Sequence, residues 1–131
     1  MVELNIQSRD HTQFLNITQQ VQEAARKNNW ADGILTIFVP HTTAGVTIQE
    51  NADPDVIRDM GYCLEKAVPW EDPSYRHGEG NTAAHVKAAM LGTSGQVITV
   101  GGQLQLGTWQ GIYFCEFDGP RHRKIWLTFS T

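Results

Sequence analysis

The chain has 131 residues, 40% of them hydrophobic and 18% charged, with a formal charge of −4; such a chain makes one ordinary folded domain spanning 1–131 and excludes a disordered or fibrous class. Acidic and basic residues are scattered without long runs, which excludes the broad basic footprint of a nucleic-acid binder and leaves only local anion contacts. No apolar stretch nears the roughly 20 residues that span a bilayer, and the start MVELNIQSRD lacks a basic-then-apolar leader, so a cytoplasmic protein with no membrane partner is expected.

Val2, Leu4 and Ile6 alternate as in a strand with one buried face, and FLNIT supplies a second short strand. Thr18 is the expected N-cap of a helix over QQVQEAARKN, with Val21, Ala24, Ala25 and Asn28 on one side. ADG then turns the chain into ILTIFV, residues 34–39, a continuous apolar run typical of a central strand that Pro40 ends. VTIQE alternates again, and Asp53 followed by Pro54 starts a second helix, whose Ile57, Met60, Leu64 and Val68 form a stripe that stops at Pro69.

Residues 69–81, PWEDPSYRHGEGN, form a long polar loop punctuated by proline and glycine, the kind of loop that carries function in small domains. Asn81 is the expected cap of TAAHVKAAML, which Gly92 ends. GQVITV, GTWQGIYFCEF and RKIWLTF read as strands joined by GGQLQL and DGPR turns. The sum is an α+β domain with antiparallel or mixed sheet and two or three helices. Cys63 and Cys115 fall in a helical and a strand pattern, so both are expected to be buried and reduced.

The densest chemistry lies in RHGEGNTAAH, residues 76–85. Gly78 and Gly80 keep His77 in the loop, while His85 sits four residues past Asn81 on a helix whose side chains lean toward its N-terminus. The two imidazoles are therefore expected to converge. His41, at the end of the strand 34–39, is the third candidate, and three imidazoles with one open position suit a divalent metal, zinc first and magnesium second. The plainer alternative leaves His41 as strand-edge decoration, His77 solvated and His85 bonded to a carbonyl.

Glu50 and Glu79 are the candidate proton-handling carboxylates, and Asp53 is a cap. Thr42 and Thr43, which follow His41, join Asn51, Arg76, Asn81, Gln110 and Arg121 as the candidate substrate-binding set. The arginine forks and the free amides at the starts of the helices can hold phosphate without a glycine-rich nucleotide loop. Arg76 and Arg121 are equally plausible surface ion-pair residues. Trp109 and Gln110 either line a pocket or pack in the core.

HTTAGVTIQENADPDV, YRHGEGNTAAHVKAAMLG and above all GQLQLGTWQGIYFCEFDGPR resemble the YjbQ-like family, described as secondary thiamine-phosphate synthases, and the resemblance covers essentially the whole chain. It implies an α+β fold, a homotrimer and a site at the histidine cluster near subunit boundaries. It aligns the family's histidines with His41, His77 and His85, and its acidic and amide positions with Glu50, Asn51, Glu79 and Asn81. The activity it implies joins a pyrimidine-methyl diphosphate to a thiazole phosphate, giving thiamine phosphate and pyrophosphate. A metal-dependent hydrolase and a non-catalytic module for a metal or small phosphorylated metabolite are the alternatives. One departure is Gln103, where the family pattern commonly has a basic residue.

Overall fold

Period-two alternation organises most of this chain, and the computed structural model, which describes residues 1–131, resolves it into eight strands and three helices. In chain order they are β1 (Val2–Gln7), β2 (Gln13–Asn16), α1 (Thr18–Lys27), β3 (Gly33–Phe38), β4 (Ala44–Glu50), α2 (Pro54–Ala67), α3 (Thr82–Leu91), β5 (Ser94–Val100), β6 (Gln103–Leu104), β7 (Gln110–Glu116) and β8 (His122–Ser130). The strands form a five-stranded sheet in the order β1-β8-β3-β5-β6 and a three-stranded sheet in the order β2-β7-β4. Every pairing is antiparallel. This is the expected α+β architecture.

The inner face of the larger sheet carries Ile6, Leu35, Ile37, Val97, Ile125 and Leu127, and these pack with Val46, Ile112 and Phe114 of the smaller sheet and with Val21, Ala24 and Ala25 of α1. The other face of the smaller sheet presents Tyr113, Cys115 and Phe117, which α3 covers with Ala84 and Ala88, and on which Ile57 and Leu64 of α2 rest. Covered on both sides, β7 is buried from Gly111 onward, which explains why residues 112–115, IYFC, form an unbroken apolar run. The outer face of the larger sheet has no layer over it: Phe38, Ile98 and Val100 are 40%, 58% and 54% exposed, and Phe38 stacks on Trp126 at 5.9 Å.

Three local expectations need correction. Ile17, not Thr18, occupies the N-cap of α1, because the Ile17 N–H is held by the Ile112 carbonyl as the strand pairing runs on. Asn16 Oδ1 instead accepts from the Thr18 N–H and hydroxyl. Asn28 caps the other end, where its side-chain amide donates to the Ala24 carbonyl, and is exposed rather than on the buried side. Cys63 is exposed, since α2 turns it away from the stripe of Ile57, Met60 and Leu64. Cys115 is buried as expected, and burial raises its thiol to about 12. Asp53 caps α2 through the Asp55 N–H at 2.9 Å.

Candidate histidine site at the start of the third helix

Three constraints place the site residues of α3. The Gly80 N–H bonds the His77 carbonyl at 3.0 Å, and Gly80 has φ 72°, a conformation that favours glycine. This turn folds the loop back over the helix start. At the far end Gly45 admits the helix, since a Cβ there would stand 2.7 Å from the Gly92 carbonyl oxygen and 3.3 Å from Leu91 Cβ. Between them Lys87, only 2% exposed, reaches out to Glu65 of α2 at 2.6 Å. The bond from Lys87 holds the Glu65 carboxyl below its ordinary range.

His77 and His85 meet as the loop geometry requires, with ring centres 5.3 Å apart and planes at 85°. With Thr82 they line an open hollow of about 230 Å³. Two polar atoms beside it are buried without a hydrogen-bond partner, Thr82 Oγ1 and Asn81 Oδ1. Buried polar atoms are nearly always satisfied, so two orphans in consecutive residues set the start of α3 apart. Asn81 stands at the N-cap position yet does not cap with its side chain. Its amide group donates to Asp118 Oδ2 at 2.9 Å, which corrects the capping expectation.

Asp118 is the hub of this end. Arg121 donates from Nη2 to Asp118 Oδ2 and from Nε to the Asp118 carbonyl, and His11 Nε2 lies 3.8 Å from Oδ1. Arg121 is thus linked to Asn81 through one carboxylate. His11 is exposed and lies edge-on to Trp70 at 4.4 Å.

His41 does not join the pair. It lines a different hollow with Thr42, Thr43 and Arg123, and its Nε2 accepts the Lys124 N–H at 3.0 Å. Burial first, and the Arg123 charge second, hold its imidazole below the ordinary histidine range. Nowhere in the chain do three or more His, Cys, Asp or Glu side chains cluster as a metal set. The expected convergence therefore holds for two rings within one chain and not for three.

The remaining candidates are dispersed. Glu50 Oε2 accepts the Asp53 N–H at the entrance of α2, and its own carbonyl accepts the Tyr113 hydroxyl. Burial and the Glu50 charge raise that phenol. Glu79 and Arg76 are exposed in the loop. Asn51 is exposed and lies against Gly111. Gln110 Oε1 accepts the Gly107 N–H and closes its own turn, while Trp109 is exposed, so neither is core. Thr43 is buried, bonded through Oγ1 to Arg123, and Thr42 is exposed.

Sequence reasoning passed over Asp118, Thr82, Glu116 and Arg123. A signal existed for the last two. The alternation that faces Ile112 and Phe114 inward carries Glu116 with them, and the one that faces Ile125 and Leu127 inward carries Arg123. Asp118 and Thr82 lie in a turn and at a helix start, where no period reveals partners.

The model of the family described as "UPF0047 protein YjbQ-like" matches residues 2–131. UPF0047 protein YugU of Bacillus subtilis is 48% identical over 124 residues, 95% of this chain and 94% of that one. UPF0047 protein MJ1081 of Methanocaldococcus jannaschii is 43% identical over 93% of this chain and 88% of its own. Among solved structures, an uncharacterized conserved protein of the YjbQ/UPF0047 family from Clostridium acetobutylicum superposes with a TM-score of 0.96 at 48% identity, covering 99% of this chain and 100% of that one. The conserved hypothetical protein TT1486 from Thermus thermophilus does so with a TM-score of 0.93 at 38% identity over 99% and 100% of the two chains.

Proposed function

Because the chain belongs to the YjbQ-like UPF0047 family, we propose that it is a transferase acting on small phosphorylated metabolites, with its working site at the His77–His85 pair. The reaction is the one the resemblance implies, in which a thiazole phosphate displaces diphosphate from a pyrimidine-methyl diphosphate to give thiamine phosphate and pyrophosphate. The observation that carries the reading is the pairing of the two imidazoles at 5.3 Å beside two orphaned polar atoms.

The pair fits a divalent cation. Two imidazoles bound to one tetrahedral ion at about 2.0–2.1 Å set their ring centres roughly 5 Å apart, close to the separation found. Nitrogen donors without a carboxylate favour zinc, with magnesium the alternative. Held by His77 and His85, such an ion would offset the charge of the leaving diphosphate and keep positions open for its oxygens. The chain's own contribution is positioning and charge. Thr82 lines the same hollow, while its hydroxyl and the Asn81 amide oxygen lie buried and unbonded behind it. Arg76 extends from the loop as a free guanidinium for phosphate. Arg121, fixed by Asp118, holds that end of the helix in place.

A specific observation favours the second reading, a binding module without turnover: neither Glu50 nor Glu79 joins the two imidazoles in a set of three or more metal ligands. Product analysis separates the readings. Untagged protein given both substrates is expected to release pyrophosphate and thiamine phosphate, and His77→Ala/His85→Ala to lose the activity. Undiminished product formation in that variant contradicts the site, simple phosphate release identifies a hydrolase, and binding without any product supports the module.

The homotrimer implied by the resemblance belongs to the same reading. The uncovered face of the larger sheet, with Phe38, Ile98 and Val100 exposed, offers the apolar area that association buries.

A further inference from the structure

A second hollow, of about 520 Å³, opens at the end of β3 and is lined by His41, Thr42, Thr43, Thr93 and Arg123. Its floor is a buried charge. Arg123 is 4% exposed and donates from Nε and Nη2 to Glu116, and from Nη2 to Thr43 Oγ1 and the Thr43 carbonyl. Those bonds use one side of the guanidinium fork. Nη1 has no partner in the protein, yet it is not among the sealed, unsatisfied atoms, so it is the nitrogen through which Arg123 meets the hollow.

Glu116 does not cancel this for an incoming anion. It is 0% exposed and lies behind the guanidinium with both oxygens occupied, Oε1 by Ser8 and Arg123, Oε2 by Arg123 and the Asp118 N–H. Phe38, Val39 and Pro40 form the apolar part of the wall, and the other polar side chains are donors. The Thr43 hydroxyl accepts from Arg123 and keeps its own hydrogen free. Thr42 and Thr93 are exposed at the rim. Because Nε2 of His41 accepts the Lys124 N–H, the neutral ring carries its proton on Nδ1 and is a donor there. No acidic side chain lines the hollow.

We propose that this hollow binds the phosphate group of an organic phosphate, with Arg123 Nη1, the hydroxyls of Thr43 and Thr93 and the Nδ1–H of His41 as its donors. The inference stands apart from the His77–His85 reading, since the two hollows share no residue. A phosphate matches the set better than a carboxylate does, because donors from four residues surround the space and a tetrahedral anion offers acceptors in as many directions. The volume leaves room for the organic part of the ligand.

The test is a titration of the whole protein with inorganic phosphate, followed by amide NMR and calorimetry, with acetate as the carboxylate arm. Shifts at residues 41–43, 93 and 123 are expected with phosphate and not with equal acetate. Thr93→Val, at an exposed position, and His41→Ala are each expected to weaken phosphate binding about tenfold or more, the loss of one bond to a charged group. Shifts confined to residues 77–85, equal response to acetate, or unchanged affinity in both Thr93→Val and His41→Ala would overturn the assignment. Arg123→Lys serves as a check on Arg123 if Arg123→Ala does not fold, and it too should bind more weakly.

Discussion

Glu116 and Arg123 face each other between the two sheets, 0% and 4% exposed, and a buried pair of this kind is costly to break from one side. Removing one partner strands the other charge, and Glu116→Gln is expected to lower stability by about 3–5 kcal/mol, read as a fall in Tm. The pair also sets an acid limit. Burial pushes the Glu116 carboxyl up, but the bonds from Arg123, Ser8 and the Asp118 amide, with the Arg123 charge, outweigh it and leave the group below its ordinary range. A carboxyl lowered by folding stabilises above its unfolded pKa, and that stability is lost as pH falls through the folded value. Acid titration of the folded protein should therefore show a loss of stability below the ordinary carboxylate range that is smaller in Glu116→Gln. A variant with the same acid profile as the unmodified protein would refute the assignment. At this scale the sequence is partly legible: strand parity places both charges inward, whereas the unfilled acceptor of Asn81 depends on Asp118, thirty-seven positions away, which no local pattern exposes.

Among elements, the contact that matters to the site is α3 on β4. Gly45 sits where the end of α3 closes on the smaller sheet, and the nearest atom to an added Cβ is a backbone oxygen at 2.7 Å, which cannot turn aside. Gly45→Ala is expected to cost about 1–3 kcal/mol by overpacking and to displace the helix that carries His85. Thermal unfolding measures the first effect, and the His77–His85 separation in a crystal of the variant measures the second. An unshifted Tm would show that the helix docks more loosely than described. Helix α2 and the extent of α3 follow from Asp53–Pro54, Pro69 and Gly92, strong local signals that the structure keeps. The start of α1 does not, because the β2–β7 pairing extends to Ile17 and overrides the preference of Thr18. The two-residue β6 and the turn before β7 are also hidden from sequence, since Gly107 and Gln110 close that turn through a side chain.

For the molecule as a whole, sheet membership is the least legible property: alternation shows which residues face inward but not which of two sheets each strand joins. It also leaves unexplained why Ile98 and Val100 are apolar on an outer face, and the proposed trimer accounts for them. Sedimentation at micromolar concentration should show three copies together, and Ile98→Lys should shift the protein toward the monomer; a monomeric unmodified protein contradicts the assembly. At the centre stands the pairing of His77 with His85, which the loop before α3 and the docking of that helix on β4 together bring about. Its most direct measurement is zinc titration by calorimetry, on protein stripped with chelator, of the unmodified chain against His77→Ala/His85→Ala. Saturable binding is expected in the first and its loss in the second. Equal zinc uptake by both would contradict it.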